Sequence, residues 1–152
     1  MKKLKVIGLV LTVAILFLAS ADNTLANIGG PDSAGYGWMD SKAPVPSVQY
    51  NWTDISTTGT NTGIHCDDCT TGAVPIGFNF SFYGNTYSNL YITSNGILSF
   101  SGGTTVWANY EIASGSTPSN SIYVLWDDLY STSPGNIYYR TIGEAPNRIF
   151  IV

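Results

Sequence analysis

The chain has 152 residues, room for one domain and too few for two. Aromatic residues make up 13% and charged residues 11%, which excludes a disordered chain, poor in aromatics and rich in charge. Ten acidic against six basic residues give a net charge of −4, which excludes the basic footprint of a nucleic-acid binder.

Met1–Lys5 carries Lys2, Lys3 and Lys5, Val6–Ala19 is apolar apart from Thr12, and Ala19-Ser20-Ala21 offers small residues at a cut. This three-part pattern reads as a secretory signal peptide over residues 1–21, cleaved before Asp22, with a second candidate cut after Ala26. Its apolar run of 14 residues falls short of the roughly 20 that span a bilayer, so no membrane span is expected after cleavage. Retention as an anchor is the alternative. Cleavage removes three of the six basic residues and none of the ten acids, which takes the charge to −7. A chain this acidic avoids anionic membranes and nucleic acid.

Residues 22–35 form a polar, Gly-rich lead-in, and 36–152 are expected to be the folded module. Tyr36–Asp40 is a first short strand. Pro44 and Pro46 then deny ladder hydrogen bonds. Val48–Ile55 is the next candidate strand, and Ser56–Gly63, built of Ser, Thr, Gly and Asn, is a loop. In Val74–Phe82, Ile76, Phe78, Phe80 and Phe82 alternate with small or polar residues, the period of a strand with one buried face. Tyr83-Gly84-Asn85 turns the chain into Thr86–Thr93, where Leu90 and Ile92 oppose Tyr87, Asn89 and Tyr91. Asn95-Gly96 predicts a tight hairpin, because both residues tolerate positive φ, and Ile97–Phe100 returns. Ser101–Asn120 is loop-rich. Ile122–Trp126, apolar on both faces, predicts a central covered strand with Trp126 in the core. Pro134-Gly135 marks a turn, and Ile137–Ile142 and Ile149–Val152 are the last strands. No segment after the signal keeps a helical apolar period. Short strands at hairpin spacing predict an all-β fold, an antiparallel, jelly-roll-like β-sandwich. The apolar edge Ile149–Val152 leads to the expectation that the module is truncated at its C-terminal end.

Several stretches carry a family likeness: Gly29-Gly30-Pro31-Asp32, Gly35-Tyr36-Gly37-Trp38-Met39-Asp40-Ser41, Tyr50-Asn51-Trp52-Thr53-Asp54-Ile55, Pro75–Gly84, Tyr91–Phe100, Leu125-Trp126-Asp127-Asp128-Leu129 and Ala145-Pro146-Asn147-Arg148. In this order, from about Gly29 to Val152, they resemble a secreted, nidogen-like β-sandwich module found in bacterial and archaeal surface proteins and exported hydrolases. The order of these motifs is specific for the module and not for an activity. The resemblance implies further strands after Arg148, in keeping with truncation. The cysteine pair departs from the pattern, whose corresponding loop carries acids.

His65-Cys66-Asp67-Asp68-Cys69 is the cluster that invites chemistry. A cysteine pair in an exported chain reads first as a disulfide, Cys66 with Cys69. So short a loop gains about 2 kcal/mol or less from closure. Competing readings are a thioredoxin-like redox pair, which needs a helix N-terminus, and a zinc site of His65, Cys66, Cys69 and a carboxylate. Asp67, Asp68, Asp127 and Asp128 are candidate calcium ligands, since calcium takes carboxylate oxygens; aspartates also cap turns without any ion. Trp107 and Tyr110, in the loop-rich stretch, are candidate glycan contacts, and the other Trp and Tyr residues read first as core. Asn51-Trp52-Thr53 and Asn79-Phe80-Ser81 are glycosylation sequons. His65 is the only imidazole and no Gly-x-Ser-x-Gly elbow is present, so catalysis is not expected. The expected function is therefore a non-catalytic extracellular structural or adhesive module, secreted or at the cell surface. It would be the N-terminal part of a larger protein, with a cell-surface protein or glycan as partner. A carbohydrate-binding module and an accessory domain of an exported hydrolase are the alternatives. No cofactor beyond calcium is implied.

Overall fold

The computed structural model describes residues 28–43, 48–112, 114–132 and 135–152. The expected signal peptide, residues 22–27 of the polar lead-in, and Pro44, Pro46 and Pro134 lie outside the described residues. The described residues fall into two compact units that divide between Tyr50 and Asn51.

In the first unit, β1 (Ile28–Gly29) pairs antiparallel with β2 (Trp38–Met39). Asp32 organises the link between them: its Oδ1 accepts from the amides of Ala34 and Tyr36, both at 2.9 Å. Aspartate does this in turns because its short side chain reaches amides a few residues ahead. β1 sits in the stretch expected to be a lead-in, and β2 lies inside the expected strand Tyr36–Asp40.

The second unit is a two-sheet antiparallel sandwich. One sheet is a meander of β4 (Val74–Phe82), β5 (Asn85–Ile92), β6 (Ile97–Ser99) and β7 (Ser121–Tyr123). The other has the order β3 (Thr60–Asn61), β8 (Tyr138–Ile142), β9 (Ile149–Ile151). Alternation along β4 and β5 buries Val74, Ile76, Leu90 and Ile92, and these join Ile64 and Phe100 in the core. Tyr139 and Phe150 of the second sheet pack against that cluster. Each fully buried aliphatic side chain contributes about 1.5–3 kcal/mol, so this one face dominates the stability.

β4 is bulged between Pro75 and Phe80, with Gly77 at φ 84°. The bulge frees two carbonyls, and the other sheet takes both. Thr141 Oγ1 donates to the carbonyl of Ile76 at 2.7 Å, and Arg148 Nη1 donates to that of Gly77 at 2.8 Å. The Arg148 guanidinium also lies 5.3 Å from the centre of the Phe78 ring. At the far end of the hairpin, Phe100 gathers Phe80, Phe82 and Tyr87, with ring centres 5.5, 5.2 and 4.8 Å away.

The structure alters several expectations. Val48–Ile55 is not a strand: Val48, Tyr50 and Trp52 are exposed, and only Ile55 is buried. The Ile55 carbonyl accepts from Thr58 and Gly59 instead, which turns the chain. The Ser/Thr/Gly loop conversely contains β3, whose backbone pairs with Tyr138 and Tyr139 whatever its side chains are. β7 is an edge strand and ends at Tyr123, so Val124 and Leu125 are 68% and 69% exposed. Trp126 is only half-buried; its Nε1 donates to the carbonyl of Val106 at 3.2 Å.

The tight turn with both residues at positive φ is Tyr83-Gly84, at 46° and 77°. It gives the geometry of a two-residue hairpin, with Phe82 paired to Asn85. Asn95-Gly96 instead belongs to a three-residue turn in which only Gly96 is left-handed, at φ 72°. Thr93 N–H donates to the carbonyl of Ile97 at 3.1 Å, and Ile97 N–H returns to Thr93 Oγ1 at 3.0 Å.

A methyl group at Gly96 would run into the carbonyl of Leu125, on top of the penalty of a left-handed residue. Gly96→Ala should therefore lower stability by about 2 kcal/mol or more in urea unfolding. A loss below about 0.5 kcal/mol, the range of an ordinary surface change, would contradict this packing.

Candidate functional site

The turn between β5 and β6 is buried although it is polar. Thr93, Ser94 and Asn95 are 3%, 5% and 1% exposed. Buried polar groups are costly unless every atom finds a partner, and here they do so by reaching into two loops. Asn95 Nδ2 donates to Asp68 Oδ1 at 2.7 Å. Asn95 Oδ1 accepts from the Leu129 amide at 3.0 Å. Ser94 N–H donates to the carbonyl of Cys69 at 2.8 Å, and the Cys69 amide returns to Ser94 Oγ at 2.9 Å.

This knot draws the expected site residues together. Cys66 and Cys69 are joined in a disulfide, with Cα atoms 5.9 Å apart. Asp68 inside the loop is left-handed, at φ 44°, a conformation aspartate tolerates better than most residues. Carboxylate oxygens of Asp67, Asp68 and Asp128 lie within 4.8 Å of one another, with Asp68 half-buried and the other two exposed. Of the four expected aspartates, Asp127 stands outside this group, and its Oδ1 accepts from the Asp128 amide at 2.9 Å. The zinc reading is overturned, because the disulfide consumes both thiolates. His65 Nδ1 lies 2.6 Å from the carbonyl of Gly63. The redox reading lacks its helix, since no helix occurs among the described residues.

Trp107 and Tyr110 are each 51% exposed. Their loop is clipped to the chain after β7 twice: Trp126 Nε1 holds Val106, and Asn109 Nδ2 donates to the carbonyl of Trp126 at 2.8 Å. Tyr123 fastens the preceding stretch, its hydroxyl donating to the carbonyl of Pro118 at 2.6 Å. Burial pushes that hydroxyl above the usual tyrosine pKa, against a lowering hydrogen bond with Thr117. Tyr87 and Tyr139 are packing residues, against Phe100 and Phe150.

Sequence reasoning missed Asn95 as an organising residue. The Ser-Asn-Gly triplet signals a turn, and a turn is ordinarily exposed. Only the fold shows that loops close over this one.

A family model described as NIDO related matches residues 45–152. No curated protein and no solved structure matches the chain.

Asn95→Ala would strand the Leu129 amide and one Asp68 oxygen at a part-buried position. The expected loss is about 2–3 kcal/mol in chemical unfolding. Asp127→Asn, on the neighbouring exposed carboxylate, should change stability by less than about 0.5 kcal/mol. Equal effects would show that the knot is not where the loop end is held.

Proposed function

Because the chain belongs to the NIDO-related family, we propose that it is a non-catalytic structural and adhesive module of a larger surface or secreted protein, exported with loss of residues 1–21. The family is one of extracellular structural modules, and a disulfide agrees with an extracellular setting. The observation that carries the reading is how the loop end is used. Loops at the end of a sandwich are where ligand or catalytic groups usually gather. Here their polar side chains are engaged in cross-linking the loops to one another through Ser94, Asn95 and Cys66–Cys69. That arrangement favours a stiff contact surface over a site that must admit and release a substrate. Among the described residues no helix is long and apolar enough to cross a membrane. The exposed Trp107 and Tyr110 are the contacts we assign to a surface protein or glycan.

A second reading concerns calcium. Three carboxylates held so close repel one another, and a hard cation relieves that repulsion. Asp67, Asp68 and Asp128 offer oxygen donors only, the chemistry calcium prefers. Water and loop carbonyls would complete the roughly six to eight ligands it takes.

Two outcomes follow. The mature product in its native host should begin at Asp22 and be found outside the cytoplasm; an intact Met1 on cytoplasmic protein would overturn the export reading. Calcium in excess should raise Tm against a chelator control, and Asp128→Asn should abolish the rise. No calcium-dependent shift removes the ion from the account and leaves the structural reading standing.

A further inference from the structure

The connection from β6 to β7 contains two stretches of small residues, Ser101-Gly102-Gly103-Thr104 and Gly115-Ser116-Thr117. Short side chains leave a hollow between them, and both stretches line one open pocket of about 330 Å³. Hydrogen bonds within the connection set its shape. Ser101 Oγ donates to the carbonyl of Ser119 at 3.0 Å, and Thr117 Oγ1 donates to that of Ser114 at 2.9 Å. Ser99, the last residue of β6, also lines the pocket and is 1% exposed. Its Oγ accepts from the Ser101 amide at 3.4 Å, and among the described residues its hydroxyl proton has no acceptor. A buried donor without an acceptor is costly, so this hydroxyl is poised for an oxygen that enters the pocket.

The lining selects the class of occupant. None of the described residues that line the pocket carries a charge. An anion would find no cation there, and the whole chain, at −4, repels it. A cationic ligand would find no carboxylate. A purely apolar ligand would leave the Ser99 proton unsatisfied and shut water away from the other hydroxyls. Those hydroxyls need a partner that both gives and takes. Ser101 and Thr117 spend their protons inside the connection and keep lone pairs to accept with, whereas Ser99 has a proton to give. A sugar hydroxyl answers either kind of group. Size agrees, since ligand pockets run from roughly 300 to 1,000 Å³ and this one holds a single compact ring rather than an extended peptide. Trp107 follows Val106 of the lining and is 51% exposed. An aromatic face of that kind suits the C–H face of a pyranose.

We propose that this pocket binds one neutral pyranose unit of a glycan, with Ser99 donating from its floor and Trp107 at its rim. The proposal rests on the adhesive reading and names the chemistry of its glycan contact. Its test uses purified protein, so failure here leaves the export result untouched.

The test titrates the disulfide-bonded chain with the methyl glycosides of glucose, galactose, mannose and N-acetylglucosamine, and with methyl glucuronoside as a charged control. Backbone amide NMR is the readout. The expected result is saturable binding of at least one neutral glycoside, with shifts confined to residues 99–107 and 115–118, and weaker binding of the glucuronoside. Ser99→Ala should weaken binding about five- to tenfold. Gly115 lines the pocket, and a methyl group added there meets nothing within 4 Å. Gly115→Leu should therefore fill the pocket and abolish binding with Tm unchanged, and it decides the matter if Ser99→Ala fails to fold. Absence of binding by all four neutral glycosides, or tighter binding of the glucuronoside, would overturn the proposal. Binding that shifts Trp107 and survives Gly115→Leu would overturn the pocket while keeping the glycan contact of the adhesive reading.

Discussion

A buried carboxamide must place both its donor and its acceptor, and Asn95 is the residue on which this requirement falls. At 1% exposure it has no water to turn to. Its partners come from the disulfide loop on one side and from the chain after β7 on the other. The turn's own backbone extends the same logic, since the Gly96 carbonyl accepts from Val124 at 3.0 Å. Two segments distant in sequence are therefore positioned by one turn. The disulfide, the three carboxylates and the exposed stretch around Leu125 all inherit their places from it.

The junction of the two sheets rests on a comparable exchange. A bulge in β4 breaks ladder pairing, which would leave carbonyls without donors if nothing else arrived. Thr141 and Arg148 supply those donors from the other sheet. Arg148 adds a contact over the Phe78 ring, where a cation meets the negative face of an aromatic. The irregularity in one sheet is thus what fastens the second sheet to it. The apolar face then needs only to be continuous, and alternation through Ile76, Leu90 and Ile92 makes it so.

How legible this was in the sequence depends on which force acts. The hairpin β4–β5 was readable because period-two burial and the adjacent Tyr83-Gly84 turn agree on it. Val48–Ile55 has strand-forming residues and no strand, because pairing needs a neighbour and propensity does not provide one. β3 is the converse, a strand made by backbone partners from Ser/Thr/Gly-rich sequence. The apolar run Ile122–Trp126 was read as core because apolar residues are usually covered, yet Leu125 stands in water. The disulfide was legible by chemical type. Which aspartates meet was not, because that depends on Asn95, which lies 27 residues from Asp68 in sequence.

Hydrogen bonds that close on both loops make the loop end as firm as the strands. Hydrogen exchange at the amides of Cys69, Ser94 and Leu129 tests this most directly, because all three amides donate within the knot. They are predicted to exchange only with global unfolding, together with the amides of β4 and β5. Exchange at the pace of an open loop, while the strand amides stay protected, would contradict it.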